Sequence, residues 1–265
     1  VKITADVLQL DGAIRADGGT GINGPSLNGG GGAGGSIRLE VRDLSGVGVI
    51  SADGGDAGGS NNLGNPGGGG RIALSETSAV AFDRQRITAW PGLAPVQRAM
   101  AGSIVIIDPS RKLFLVDDGG RSDGFDSPSR QDAFDAALVP VDAELEVAGE
   151  VRLVVTNTLQ VKLLHLRDHA IVTHAETSTT AEPRLAIEAG EVRIDVDAAI
   201  DVSARGYLGD CASGNACTPG GRWLDNQQGG AVRYAGASHG GPGGGGTNPT
   251  YGDPLAPDTL GAGGG

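Results

Sequence analysis

The stretch Gly32-Ala33-Gly34-Gly35-Ser36-Ile37-Arg38-Leu39-Glu40-Val41, followed soon by Val49-Ile50-Ser51-Ala52-Asp53-Gly54-Gly55, decides the fold. Ile37, Leu39 and Val41 alternate with Arg38 and Glu40, the period-2 pattern that sends apolar side chains to one face of a strand and charged ones to the other. The same order stands at the start of the chain, where Val1-Lys2-Ile3-Thr4-Ala5 leads to Ala13-Ile14-Arg15-Ala16-Asp17-Gly18-Gly19. Val1 to Ile37 and Ile14 to Ile50 are both spacings of 36 residues, so the two units match without a gap.

Further units follow outward from this pair. Arg71-Ile72-Ala73-Leu74 comes after four glycines and reaches Ile87-Thr88-Ala89-Trp90-Pro91-Gly92, and Gly102-Ser103-Ile104-Val105-Ile106-Ile107 opens another. Later, Val192-Arg193-Ile194-Asp195-Val196 leads to Ala199-Ile200-Asp201-Val202-Ser203-Ala204-Arg205-Gly206, and Ala231-Val232-Arg233-Tyr234 reads as one more start. Only 108–150 departs from this grammar. It carries Lys112-Leu113-Phe114-Leu115-Val116 and a polar stretch from Asp117 to Asp135, and the pattern resumes at Leu145-Glu146-Val147. Either a longer coil with an excursion or a boundary between two sub-blocks accounts for it.

Strands of about five residues do not stand alone. Stacking the units in register buries their apolar faces in one core and pairs each backbone edge with the next unit. The predicted fold is therefore all-β, a parallel β-solenoid forming a single domain over 1–265, with roughly eight coils spaced about 4.8 Å apart. The longest glycine stretches, 20–35, 54–70 and 236–265, recur at one corner of the coil. They are expected to form an ordered layer of side loops, extended like polyproline II.

Composition agrees and narrows the function. Forty-eight glycines against 4 Phe, 2 Trp and 3 Tyr leave little material for a helix-bundle core but suit a narrow solenoid interior. A net charge of −12 excludes nucleic acid as a partner, since phosphate binding needs a positive field. No apolar run is long enough to span a membrane as a helix.

These blocks, together with Ser238-His239-Gly240-Gly241-Pro242-Gly243 and Thr250-Tyr251-Gly252-Asp253, resemble the glycine-rich parallel β-solenoid repeat segments of very large bacterial surface, adhesin-like proteins. The resemblance covers nearly the whole chain outside 108–150. It implies a tandem array, an extracellular or cell-surface location and no catalytic activity in the repeats. Gly261-Ala262-Gly263-Gly264-Gly265 reads as the glycine run that precedes a strand such as Val1-Lys2-Ile3, so the chain is expected to be one segment of such an array. The expected partners are neighbouring copies or segments end to end, with a cell-surface glycan as a further candidate. The extracellular resemblance also favours a disulfide between Cys211 and Cys217, the two cysteines of the chain. A zinc site there would need more ligands than His239 supplies.

The candidate chemistry is sparse. Asp117, Asp118, Asp123 and Asp126 form the densest carboxylate cluster and are the candidate calcium ligands, although the stretch fits neither the EF-hand loop nor the calcium-binding nonapeptide repeat. His165, His169 and His174 could share a metal only if a turn brought them together. No phosphate loop, dinucleotide fingerprint, nucleophile elbow or His-Glu-x-x-His occurs. Asp195, Asp197 and Asp201 could serve a polysaccharide lyase or glycoside hydrolase on an outer sheet face, but alternation alone already turns carboxylates outward there. A carbohydrate- or ice-binding face is the other alternative, and here the outward residues are Arg, Glu and Asp rather than ranks of Thr. The expectation is a non-enzymatic structural segment of an extracellular fibre or giant adhesin.

Overall fold

In the computed structural model the chain is an all-β parallel solenoid of about five turns. It describes residues 1–24, 28–59, 64–78, 82–94, 98–121, 133–212, 214–215, 220–245 and 248–265. There is no α-helix among them, only the single 3-10 turns Arg84–Arg86, Ala136–Leu138 and Leu224–Asn226. The main sheet has eight strands in the order β1 (Lys2–Gln9), β3 (Ser36–Ser45), β5 (Arg71–Glu76), β7 (Ser103–Asp108), β8 (Arg111–Asp117), β10 (Glu144–Ala148), β12 (Leu159–Leu166) and β14 (Ile187–Ile194). A three-stranded sheet holds β2 (Ala13–Arg15), β4 (Val49–Ser51) and β6 (Ile87–Thr88). A four-stranded sheet holds β9 (Ala133–Phe134), β11 (Arg152–Val155), β13 (Ile171–His174) and β15 (Ala199–Ile200). The short antiparallel pair β16 (Arg222–Trp223) and β17 (Gln227–Gln228) stands apart from these.

The 36-residue match is the actual register. Ile3 lies beside Leu39, Ala5 beside Val41 and Ile14 beside Ile50, all in parallel pairs. Leu39, Leu74 and Ile106 then continue the row with almost no exposure, each such side chain contributing about 1.5–3 kcal/mol of burial. Turns are fewer than the eight the repeats suggest. Ala231-Val232-Arg233-Tyr234 forms no strand, because Arg233 has φ of +58° and Tyr234 stands fully in solvent.

The stretch 108–150 holds a feature that alternation does not announce. β7 and β8 are antiparallel, whereas β8, β10, β12 and β14 are again parallel to one another. Leu113 and Leu115 of β8 lie opposite Ile106 and Ile104 and join the core of the first half. Across the next pairing those same two positions face Glu144 and Glu146, while Phe114 and Val116 line up with Leu145 and Val147. All four central residues of β8 are buried. The core therefore crosses from one face of the sheet to the other at β8. Reversing both the strand direction and the core side amounts to a half-turn about the stacking direction, so both halves wind with the same hand.

The glycine stretches are ordered as an extended bundle. Gly18 and Gly21 donate to the carbonyls of Asp53 and Asp56, and Gly54 and Ala57 to those of Trp90 and Leu93. The returning segments bond back with the opposite sense: Gly29, Gly32 and Gly35 to Ile22, Gly19 and Ala16, and Gly67 and Gly70 to Gly55 and Ala52. Every step is three residues, the repeat of a polyproline II helix. Backbones packed this closely leave no room for side chains, since a Cβ on Gly31, Gly34 or Gly67 would overlap a neighbouring carbonyl.

Two compact units emerge: 1–153 with 158–172 and 187–200, and 154–157 with 173–186 and 201–265. In the second, Tyr207 and Asp210 donate to the carbonyls of Gly261 and Gly264, the same three-residue step.

Candidate functional site

Among the described residues, the main sheet is flanked on each side by a strand with only one neighbour, β1 and β14. β14 is the barer of the two. Its inward row is Ile187, Ala189, Val192 and Ile194, registered on Leu159, Val161, Leu164 and Leu166 of β12. Leu164 and Leu166 are fully buried, yet Val192 and Ile194 are 44% and 47% exposed and Val196 just beyond is 86% exposed. The core row thus reaches the surface there. On the opposite face of the strand, Arg193 pairs with Glu191 at 2.7 Å and Glu188 accepts from Gln160 at 2.7 Å. At the other side of the sheet Ile3, Ala5 and Leu8 are half-buried and Val7 is 56% exposed.

Several charged side chains of the second half are paired with one another. The outward face of the second half carries Arg167 between Glu146 (2.7 Å), Asp117 (3.8 Å) and Asp168, with Arg84 on the same Glu146 at 3.7 Å. Lys162 pairs with Glu144, and His165 with Asp195 at 3.1 Å. Such partly exposed pairs contribute little energy.

Of the calcium candidates, Asp123 and Asp126 lie outside the described residues. Asp117 accepts from the amide of Gly119, and buried Asp118 accepts from the amides of Gly120 and Glu150. Burial pushes the Asp118 carboxyl above its usual range against those two bonds. These two bonds tie the Gly119-Gly120 turn to Glu150. Among the described residues no three His, Cys, Asp or Glu side chains converge as metal ligands. The three histidines are separated accordingly. His165 is on β12, His169 occupies a turn with φ of +68°, and buried His174 contacts the Ala175 carbonyl. Asp197 sits in a turn at φ of +70°, and Asp201 caps the amide of Ser203. Cys211 has φ of +58°, and Cys217 lies outside the described residues; no described cysteine is free.

Two features escaped the sequence reading. Glu76 takes an inward position beside Val41, where its Oε1 accepts from the Leu44 amide at 2.8 Å and its Oε2 is buried with no partner. Burial pushes this carboxyl up, and nearby Asp108 and Asp43 add to the effect. Strict alternation would have flagged Glu76 as a charge in an apolar slot. In the second unit Tyr251 stacks edge-on to Trp223 at 5.8 Å and against His239 at 4.7 Å, with its hydroxyl donating to the Leu260 carbonyl. Burial pushes the Tyr251 phenol up to about 12. The trio pins the glycine-rich stretch around it.

Comparison with protein-family models, with curated proteins and with solved structures finds no match to this chain.

Proposed function

We propose that this chain is a non-enzymatic structural and interaction segment of an extracellular fibre or giant surface adhesin, joined to its own kind through sheet edges. The observation that carries this reading is the core row running uncovered to the surface at Val192 and Ile194, where a solenoid that ended by design would place a polar capping coil. An unprotected strand edge is a template for pairing with another chain. Pairing of charged side chains along the outward face of the second half suits a scaffold.

Negative-stain electron microscopy of the chain over a concentration series tests this. End-to-end particles at least two copies in length are expected. Uniform single particles at every concentration, or new reducing or unsaturated ends on incubation with acidic polysaccharides, would overturn the reading.

A further inference from the structure

The strand β14 is complementary to itself. Its inward residues Ile187, Ala189, Val192 and Ile194 are spaced by two, three and two, a palindromic pattern. Run antiparallel to a second β14 about an axis between Gly190 and Glu191, Ile187 meets Ile194 and Ala189 meets Val192, each twice. On the outward face the same alignment sets Glu188 opposite Arg193, also twice, with no like charges opposed. An axis normal to the sheet keeps both cores on one side, so the apolar row continues across the joint. The sheet already contains one antiparallel joint, β7 to β8.

A head-to-tail joint fits less well. Parallel pairing of β1 on β14 can also match apolar positions, with Ile3 on Ile187, Ala5 on Ala189, Leu8 on Val192 and Leu10 on Ile194. That register sets Thr4 opposite Glu188, as Thr4 stands opposite Glu40 within the sheet with Lys2 reaching the same carboxylate, so it offers one such charged contact per joint where the antiparallel alignment offers two. Like charges directly opposite on neighbouring strands are destabilising, and opposite ones are favourable.

We propose that a second copy of this chain docks on β14 through its own β14, antiparallel and isologous, sealing Val192 and Ile194 and pairing Glu188 with Arg193 across the dyad. This rests on the reading that the chain joins its own kind through sheet edges, and it specifies which edge meets which.

The test is sedimentation equilibrium on the full chain and a charge-swap series. The wild type is expected to form a dimer. Arg193→Glu sets two carboxylates against each other at both symmetric positions, and Glu188→Arg does the same with two cations. Each should weaken dimerisation by about tenfold or more. An equimolar mixture of these two single variants restores opposite charges at every position and should pair as a heterodimer, as should Glu188→Arg/Arg193→Glu with itself. Recovery on mixing also shows that the variants fold. Dimerisation indifferent to the single variants but lost in Lys2→Glu would overturn the β14 joint while leaving edge-to-edge assembly standing. A wild type that stays monomeric at all concentrations would overturn both.

Discussion

A buried carboxylate at an apolar position has a cost that depends on pH. The Glu76 carboxyl is raised by burial, so the folded protein holds that proton more tightly than the unfolded chain does. The group is neutral and harmless below the unfolded value near 4.5, and it destabilises the fold as pH rises past that value and the unfolded chain ionises first. Glu76→Gln keeps an oxygen for the Leu44 amide and removes the charge. It should stabilise the protein by roughly 1 kcal/mol at neutral pH, with the gain vanishing below about pH 4. Urea denaturation at a series of pH values checks this, and a gain that persists in acid would place the cause elsewhere. Glycine makes a second residue-scale contrast. A Cβ on Gly67 would overlap the Gly32 carbonyl, whereas one on Gly19 meets nothing. Gly67→Ala is expected to cost about 3 kcal/mol through displaced backbone. Gly19→Ala should be neutral or stabilise by about 0.5 kcal/mol through the unfolded chain.

At the level of elements, β8 differs from every other strand of the sheet because its neighbours place cores on opposite faces. Leu115→Ala opens a cavity in the first core, and Phe114→Ala opens one in the second, where the ring packs edge-on to Phe134 at 5.9 Å. Both should cost about 3–4 kcal/mol in denaturant titrations. On β3 the equivalent pair splits, since Leu39 is fully buried while Arg38 is exposed and makes only a surface pair with Glu40. Arg38→Ala should stay within about 0.5 kcal/mol. This contrast also marks what could be read in advance. Ile37, Leu39 and Val41 announce one buried face, and their 36-residue repeat announces parallel stacking. Leu113-Phe114-Leu115-Val116 is apolar at every position, so alternation cannot say which side the core takes, and only the pairing with Glu144 and Glu146 reveals the crossing. Similarly, the self-complementarity of β14 depends on its being an outer strand, which is a property of the assembled sheet and not of the local pattern. Ala231-Val232-Arg233-Tyr234 misled for a different reason: a positive φ at Arg233 is set by its turn and leaves no trace in hydropathy.

For the whole molecule, net charge and local charge pull association in opposite directions, and their ranges decide the outcome. Two copies each carrying −12 repel over the full screening length, about 30 Å at 0.01 M salt and about 8 Å at 0.15 M. The Glu188 and Arg193 pairs proposed across the β14 joint act within a few ångströms, well inside that length at either salt concentration, and salt weakens them far less. Apolar contact between Val192 and Ala189 is not screened at all. Raising salt should therefore relieve the repulsion more than it loosens the joint, and self-association should tighten between 0.01 and 0.15 M. Sedimentation across a potassium chloride series measures this directly. A dimer that loosens steadily with salt would mean that ion pairs, and not the uncovered apolar row, hold the copies together.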